Sequence, residues 1–494
     1  MRESGILLPI SSLPSAYGIG CFSKEAYEFV DFLAESRQTY WQVLPMGPTG
    51  YGDSPYQSFS TFAGNPYFVD LEEFIEKKWL TKKECEKCDW GSDSENVDYG
   101  KVYQNRFKLL KKAFAKSGIE KDHSFKKFVK ANAWWLDDYA LFMALKENFG
   151  GKSYSLWPSD IKKHNKSAVK KYAADPKYSD EVMCYRFIQY FFFRQWRKLK
   201  EYANEKGVKI VGDIPLYVAY DSADTWSHPE LFKLDKNADP TGVAGCPPDY
   251  FSATGQLWGN PLYDWDYHKK TGYAWWMKRL SACFELYDVV RIDHFRGFES
   301  YYNIPFGDPT AEFGHWEKGP GIDFFNTIKK KLGDHRIIAE DLGFLTPAVH
   351  KLVKKTGFPG MKILGFAFDG NESNDYLPHN FTKNCIVYTG THDNDTALGW
   401  YKNASASDKK YARDYLGIKS GKDFNQALIR LAMGSVADIC IIPMQDHLSL
   451  GSEARINTPS TLGGNWTWRM KSDIYTKELA FRIAAVTKLF GRCR

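Results

Sequence analysis

The chain has 494 residues, of which 26% are charged and 43% apolar. This ordinary composition excludes collagen-like, coiled-coil and disordered chains. The formal net charge is only +6, and no run of like charges stands out. We therefore expect neither nucleic acid nor an acidic membrane surface as a partner.

Cysteine use and apolar run lengths predict a protein of the cytoplasm. Nine cysteines, an odd number scattered over a long chain, are typical of a reducing compartment. The one close pair, Cys85 and Cys88, has no second pair or histidine at the spacing of a zinc site. The apolar run 6–10 is too short for a signal peptide, and no apolar run reaches the 18 residues of a membrane span.

Eight short apolar runs, each followed by an amphipathic segment of helical length, are predicted to be β-strands. They are residues 5–10, 40–44, 208–214, 288–292, 336–339, 361–368, 384–388 and 439–443. Strands buried on both faces and separated by helices are typical of a parallel sheet. Eight of them favour an α/β fold of the (β/α)8 TIM-barrel type over an open, doubly wound sheet.

Two stretches are too long to be barrel connections. Residues 71–177 carry Lys-rich amphipathic patterns and are predicted to form an inserted, mainly helical subdomain. The catalytic barrel then comprises residues 1–70 and 178–494. Residues 220–265, rich in Pro, Gly, Asp and aromatic residues, are predicted to form an irregular loop region at the active site. We expect both insertions to lie at the carboxyl ends of the strands.

Three of the predicted strands lead into carboxylates, at Asp293, Glu340 and Asp393. A single acid at a strand end is more often a helix N-cap, but the carboxyl ends of barrel strands form one rim, where three acids would converge. Cleavage of a glycosidic bond needs such a set, with one carboxylate ionised and another protonated. Arg291 points the same way as Asp293 and predicts that this acid is ionised, whereas the apolar run before Glu340 predicts a raised pKa.

Two histidines, His294 and His392, adjoin these acids and are candidates to donate hydrogen bonds to hydroxyl groups. A metal site is the competing interpretation, but neither a His-x-x-x-His nor a Glu-x-x-His spacing supports it. The sequence also lacks a P-loop and a Gly-x-Gly-x-x-Gly that opens a helix. We therefore expect no metal, nucleotide or other cofactor.

The segments that carry the acids resemble the catalytic segments of the α-amylase clan. They are Arg291-Ile-Asp293-His294-Phe-Arg-Gly, Ala339-Glu340-Asp-Leu-Gly and Thr391-His392-Asp393-Asn. Further segments are similar to those of the amylomaltase or 4-α-glucanotransferase family, glycoside hydrolase family 77. They are residues 5–14, 50–58, 212–215, 247–261 and 464–469. The resemblance covers nearly the whole chain, and the 247–261 loop is its most specific part, although Cys246 stands where an apolar residue is expected.

This resemblance implies a role for each matching residue. Asp293 would be the nucleophile, Glu340 the acid/base, and Asp393 a transition-state stabiliser that holds the hydroxyl groups of the sugar. The substrate-binding residues would be Tyr56, Asp213, Arg291, His294 and His392 around the attacked glucose, Ser54 and Asn465 at the preceding glucose, and Tyr250, Phe251, Gln256 and Trp258 on the acceptor side.

The first functional hypothesis is a 4-α-glucanotransferase. It would move a segment of a 1,4-α-glucan, through a covalent glycosyl-enzyme, to the 4-hydroxyl of glucose or of a malto-oligosaccharide. An α-amylase-like retaining hydrolase is the alternative, because it uses the same acids and differs only in what attacks the intermediate. A non-catalytic glucan-binding protein is disfavoured, since binding needs no pair of nucleophile and acid. We expect the 247–261 loop to exclude water and so to favour transfer.

Overall fold

The computed structural model describes residues 2–248, 252–343 and 345–493. These ranges contain twelve β-strands and eighteen α-helices. The strands β1 to β12 are Glu3–Leu7, Tyr40–Gln42, Lys209–Ile214, Gly242–Cys246, Gln256–Pro261, Val289–Ile292, Ser300–Pro305, His315–Lys318, Ile337–Ala339, Gly360–Ile363, Cys385–Tyr388 and Ile439–Pro443. The helices α1 to α18 are Lys24–Glu35, Glu72–Glu76, Lys82–Glu86, Tyr99–Ser117, His123–Asn148, Ser159–Lys162, Lys166–Ala174, Pro176–Glu205, Ala223–Ser227, Trp265–Lys270, Ala274–Leu286, Ile322–Leu332, Pro347–Thr356, Ala397–Asn403, Ala406–Leu416, Phe424–Gly434, Met444–His447 and Lys477–Leu489. Of the helices in the described ranges, none combines the length and the apolar side chains that a bilayer span requires.

Eight of the strands form one parallel sheet, in the order β10-β11-β12-β1-β2-β3-β6-β9. These are the eight strands that the sequence predicts, with ends shifted by a few residues. The predicted run 361–368 is a strand only as far as Ile363, because a 3-10 turn, Leu364–Phe366, follows it. The prediction of a TIM barrel is therefore confirmed.

A side chain helps to close the barrel between β9 and β10. The amide of Ala339 donates to the carbonyl of Pro359 at 3.0 Å, and the amide of Met361 donates to Oδ1 of Asp341 at 2.7 Å. Gly360 leaves room for this carboxylate, since a Cβ at that position would lie 2.2 Å from Oδ2 of Asp341. The side chain of Asp341 thus takes the place of a backbone acceptor where β9 meets β10, a junction called the seam below.

Polar side chains link strands across the interior of the barrel. Tyr40 donates to Oε2 of Glu3 at 2.6 Å, and Arg336 donates to the hydroxyl of Tyr40 at 2.5 Å. Tyr388, on β11, donates to Oε1 of Gln42, on β2, at 2.9 Å. Arg336 is exposed, but Glu3, Tyr40, Gln42 and Tyr388 are buried, and these contacts satisfy polar groups that the packed interior would otherwise leave unpaired.

The segment 71–177 contains the helices α2 to α7. Helix α5 packs along α8, which leads back into the barrel. At its other side the segment meets a loop near the carboxyl end of the barrel, where Val97 N donates to Thr467 O at 2.8 Å and Tyr99 Oη donates to Trp466 O at 2.9 Å. Its separation from the barrel as a subdomain stays a prediction.

The other four strands form an antiparallel sheet, in the order β5-β4-β7-β8, and this sheet is called the small sheet below. The stretch 220–265, which the sequence predicts to be irregular, supplies β4 and β5. Two glycines in β4 explain why residue propensities do not predict this strand. A Cβ at Gly242 would lie 2.0 Å from Oδ1 of Asn303, and one at Gly245 would lie 2.1 Å from the carbonyl of Gln256, so neither position accepts the branched residues that favour strands.

Asp341→Ala should lower the free energy of unfolding by about 1–3 kcal/mol, because the amide of Met361, whose residue is 1% exposed, would lose its acceptor. Thermal unfolding followed by circular dichroism measures the change. Asp334→Ala is the matched control, since this exposed aspartate contacts only the flexible Lys329 among the ion pairs of the described residues. Equal melting temperatures for the two variants would show that Asp341 does not hold the seam.

Candidate active site

Four acids meet near the carboxyl ends of four barrel strands. Asp213 lies within β3, Asp293 follows β6, Glu340 follows β9, and Asp393 lies in the loop after β11. The parallel register places Asp213 beside Arg291 on β6. The structure therefore brings together the three acids that the sequence singles out.

Arg291 links two of these carboxylates. Its side chain is 3% exposed, and its guanidinium donates to Oδ2 of Asp213 at 2.5 Å and to Oδ1 of Asp293 at 3.0 Å. Burial alone would lower the pKa of Arg291, but the two carboxylates raise it well above its usual value. A buried guanidinium between two anions thus stays charged.

Arg291 favours the ionised form of Asp293, but it is not the only group that sets the pKa of this acid. Burial raises the pKa of Asp293, and Arg291 lowers it, but the neighbouring carboxylates of Asp213 and Asp393 raise it again, so the pKa lies above its usual value. Burial is the largest cause, and Arg291 offsets only part of it because it is shared and makes its shorter contact with Asp213. No sequence pattern indicates that sharing.

Glu340 is held by two backbone donors. Its Oε2 accepts from the amide of His294 at 2.6 Å, and its Oε1 accepts from the amide of Leu342 at 2.9 Å. His294 has a left-handed backbone conformation (φ 52°), which is uncommon for a residue other than glycine and aims this amide at the carboxylate. Burial raises the pKa of Glu340, and the negative charge of Asp293 raises it further. Because Arg291 contacts Asp293 and not Glu340, Glu340 holds a proton more readily than Asp293 does.

Tyr56 and His392 form a stacked pair next to Asp213. Their ring centroids are 5.2 Å apart at an interplanar angle of 19°. The hydroxyl of Tyr56 donates to Oδ2 of Asp213 at 2.7 Å and lies 3.0 Å from Nε2 of His392. Since a hydroxyl has one proton and a carboxylate has none, Nε2 of His392 is the donor in the second contact. This fixes a proton on Nε2 of His392.

Asp393 is tied to a loop that the sequence analysis does not consider. Its Oδ1 accepts from Nδ2 of Asn457 at 2.6 Å, and its backbone carbonyl accepts from Arg455 at 2.7 Å. Its Oδ2 lies 3.4 Å from Nε2 of His392. Burial alone would raise the pKa of Asp393, but His392 and Asn457 lower it to about 2. Asp393 is therefore ionised, and 43% of its side chain is exposed to the cleft.

The predicted acceptor side begins at β5. The ring of Trp258 meets that of His294 edge to face, at 4.8 Å and 88°, and its Nε1 donates to Oε1 of Gln256 at 3.2 Å. Burial lowers the pKa of His294 to about 3, so this ring is neutral. The predicted residues Tyr250 and Phe251 lie outside the described residues.

The two residues predicted for the preceding glucose take part in local loop contacts. Oγ of Ser54 accepts from the amide of Tyr56 at 3.2 Å, which positions Tyr56. Oδ1 of Asn465 accepts from the amide of Thr458 at 2.9 Å, and Nδ2 of Asn465 donates to the carbonyl of Thr461 at 3.1 Å. Contact of Ser54 or Asn465 with a substrate stays a prediction.

Sequence reasoning missed the loop after β12. Besides Arg455 and Asn457, this region supplies Asp446, which accepts from Oγ1 of Thr389 at 2.6 Å and from the amide of Ala397 at 2.8 Å. Asp446 thereby binds both ends of the loop that carries Asp393. The sequence offers one signal for this region, namely that it follows a barrel strand, because the loops after all barrel strands meet at the same rim. No acid directly follows β12, so a search for acids at strand ends does not find the region.

Comparison with known proteins gives one consistent result. A family model described as 4-alpha-glucanotransferase matches residues 8–475. A 4-alpha-glucanotransferase of Clostridium butyricum is 51% identical over 98% of this chain and 99% of its own length, and one of Thermus thermophilus is 46% identical over 99% of each. Among solved structures, an amylomaltase from Streptococcus agalactiae in complex with acarbose is 41% identical, covers 100% of both chains and has a TM-score of 0.97. An amylomaltase from Corynebacterium glutamicum, 18% identical over 98% of this chain and 75% of its own, shares the fold with a TM-score of 0.79.

Asn457→Ala should raise the pKa of Asp393 by about one unit, because a hydrogen bond to a charged group is worth about 1.5–3 kcal/mol and part of it is replaced by water. Titration of the carboxyl carbons by 13C NMR in aspartate-labelled protein measures the shift, with Asp393→Asn to assign the signal. Asn403→Ala, which removes an amide whose acceptors include Asp395 rather than Asp393, should leave the value unchanged. An unchanged pKa in Asn457→Ala would mean that the 2.6 Å contact does not govern Asp393.

Proposed function

The chain belongs to the glycoside hydrolase 77 family of 4-alpha-glucanotransferases, and we propose that Asp293, Glu340 and Asp393 carry out its reaction. The protein is an enzyme that transfers a segment of an α-1,4-glucan to an acceptor. The finer proposal is that donors are malto-oligosaccharides or longer glucans. Acceptors would be glucose or another malto-oligosaccharide, which receives the segment on its 4-hydroxyl.

The first displacement would form a glycosyl-enzyme. The carboxylate of Asp293 attacks the anomeric carbon, while protonated Glu340 gives its proton to the glycosidic oxygen that leaves. Asp393, ionised and fixed by Asn457, accepts hydrogen bonds from hydroxyl groups of the same sugar and stabilises the positive charge of the transition state. Tyr56 and Arg291 lie at the base of this subsite.

The second displacement would reverse the roles. Glu340, now a carboxylate, takes the proton of the acceptor's 4-hydroxyl, whose oxygen attacks the anomeric carbon and releases Asp293. Two inversions leave the α configuration unchanged, so the product keeps the linkage of the donor. Water could attack in place of the acceptor, and a bound acceptor prevails because a positioned group has an effective concentration of about 10⁵ M or more.

The observation that carries this proposal is the unequal environment of the two central acids. Arg291 contacts Asp293 directly, whereas Glu340 is half-buried, receives two backbone donors among the described residues and faces the charge of Asp293. This supports a nucleophile beside a protonated acid at neutral pH. The family relationship supports transfer over the alternative, a retaining hydrolase with the same acids.

Eight of the nine cysteines are free thiols, namely Cys21, Cys85, Cys88, Cys184, Cys283, Cys385, Cys440 and Cys493. Free thiols throughout a chain of this length are typical of proteins that work in a reducing compartment. We therefore propose a cytoplasmic location.

Incubation with maltotriose alone tests the function. We expect a ladder of longer and shorter oligomers that retain the α configuration, whereas glucose and maltose alone would show a hydrolase. Asp293→Asn should lower the turnover number by about three orders of magnitude or more, since no nucleophile remains. Product analysis by chromatography and the anomeric 1H NMR signals measure both outcomes. Turnover within tenfold of the wild type would remove Asp293 from the nucleophile role.

Trp258→Ala should shift partitioning from transfer towards hydrolysis by about two- to tenfold, because an aromatic contact is worth about 0.5–1.5 kcal/mol. The measurement is the ratio of transferred glucose units to new reducing ends. Trp134→Ala is the matched control, since it removes another partly exposed indole, 41% exposed and on α5. If Trp258→Ala keeps the wild-type ratio while the total rate falls, Trp258 supports the donor or the fold and not the acceptor.

A further inference from the structure

The strand β5 bulges out of the small sheet just after Leu257, where the predicted acceptor side begins. Leu257 pairs with Gly245 on β4. The next registered pair joins Pro261 to Val243, so β5 advances by four residues while β4 advances by two. Two extra residues of β5 therefore leave the ladder, and Gly259 among them has a left-handed backbone (φ 76°). A bulge beside an active site changes the direction of a side chain and leaves backbone groups without ladder partners.

The side chain of Gln57, from a distant part of the chain, donates to this bulge. Its Nε2 lies 3.4 Å from the backbone carbonyl oxygen of Trp258 and 3.1 Å from Oδ1 of Asn260. A carbonyl oxygen can only accept, so the nitrogen of the Gln57 amide faces the bulge. Asn260 is 4% exposed, and its Nδ2 donates in turn to the carbonyl of Val218 at 2.9 Å. Two side-chain amides in series thus hold the bulge in place.

The backbone of Gln57 is fixed by its own loop. The amide of Gln57 donates to the carbonyl of Ser54 at 3.2 Å, and its carbonyl accepts from the amide of Gly50 at 2.8 Å. The preceding residue, Tyr56, donates from its hydroxyl to Asp213 among the acids of the barrel. One loop therefore contacts the barrel through Tyr56 and the small sheet through Gln57.

The bulge also carries the ring that lies next to the acid/base machinery. The ring of Trp258 meets that of His294 edge to face at 4.8 Å, and the amide of His294 donates to Oε2 of Glu340 at 2.6 Å. A displaced bulge would therefore change the space beside Glu340, where an acceptor must present its hydroxyl. Such a change matters because misplacement of a reacting group by about 1 Å can cost about 10²-fold in rate.

We propose that Gln57 is a positioning residue for the acceptor, because it holds the bulge of β5 and so sets the place of Trp258 relative to the donor subsite. This proposal rests on the proposed function, since it takes Trp258 to contact the acceptor. Gln57 acts through Trp258 and touches neither the substrate nor the reacting atoms. A purely structural role, in which Gln57 only satisfies the carbonyl of Trp258, would affect stability and leave acceptor binding unchanged.

The test uses an α-maltotriosyl fluoride that lacks the 4-hydroxyl of its non-reducing glucose, so that it can serve as a donor and not as an acceptor. Fluoride release without an acceptor measures attack by water, and its dependence on glucose concentration gives the acceptor KM. Gln57→Met keeps the length of the side chain and lacks the amide. It should raise the acceptor KM about three- to tenfold, the effect of losing one hydrogen bond, and leave fluoride release into water unchanged. Gln426→Met, which replaces an exposed glutamine on α16, is the matched control and should change neither value.

A double-mutant cycle separates positioning from direct contact. Trp258→Ala should raise the acceptor KM by itself, and Gln57→Met added to it should cause no further rise, because Gln57 acts only through Trp258. Additive effects would overturn the proposal, since Gln57 would then contact the acceptor itself.

Three further results would contradict the proposal in different ways. An unchanged acceptor KM in Gln57→Met, with a lower melting temperature, would leave Gln57 a structural residue only. A fall in fluoride release into water as large as the rise in acceptor KM would make Gln57 a support for Tyr56 and the donor. If the wild type releases fluoride but transfers the donor to no glucose, the proposed function itself fails, and the role of Gln57 fails with it, whatever the variants do.

Discussion

The arrangement of the active site depends on one buried cation. Arg291 lies between Asp213 and Asp293 in the interior of the barrel, and removing one partner from such a cluster costs about 3–5 kcal/mol because it leaves a charge uncompensated. The cluster therefore fixes the register of β3 against β6, which places Asp213 opposite Arg291. Tyr56 is oriented by the same carboxylate of Asp213. Electrostatics thus sets the geometry of the site before any substrate binds.

The contact of Arg291 with Asp293 and not with Glu340 also explains why the two central acids differ in how readily they hold a proton. Glu340 lies too far along the rim to receive its guanidinium and is stabilised by two backbone amides, one of them supplied by the strained His294. Backbone amides stabilise a carboxylate less than an ion pair does when the surroundings are equally dry. Glu340 therefore holds a proton more readily than Asp293 does, and the difference arises from position on the barrel rather than from residue type.

The sequence predicts the barrel well because its strands are short apolar runs with clear boundaries, and it identifies the acids that directly follow strands. Three features lay beyond it. The strand Gly242–Cys246 contains glycines that the packing requires, and glycine does not favour strands. The sharing of Arg291 depends on the pairing of two strands that are distant in sequence. Asn457 contacts Asp393 from a loop whose preceding strand does not end in an acid. Each depends on contacts between residues far apart in the chain, which neither periodicity nor a local motif records.

The part of the site that distinguishes transfer from hydrolysis is not formed by the barrel strands alone. The acids come from the barrel strands, and a retaining hydrolase would need the same set. What the small sheet adds beside the acids is an ordered aromatic ring, since Trp258 on β5 meets His294 edge to face at 4.8 Å. An acceptor that stacks on this ring would gain binding energy remote from the reacting atoms, and that energy can serve to position its hydroxyl against the intermediate. Water gains nothing from such a ring, so the same acids would favour a sugar over water.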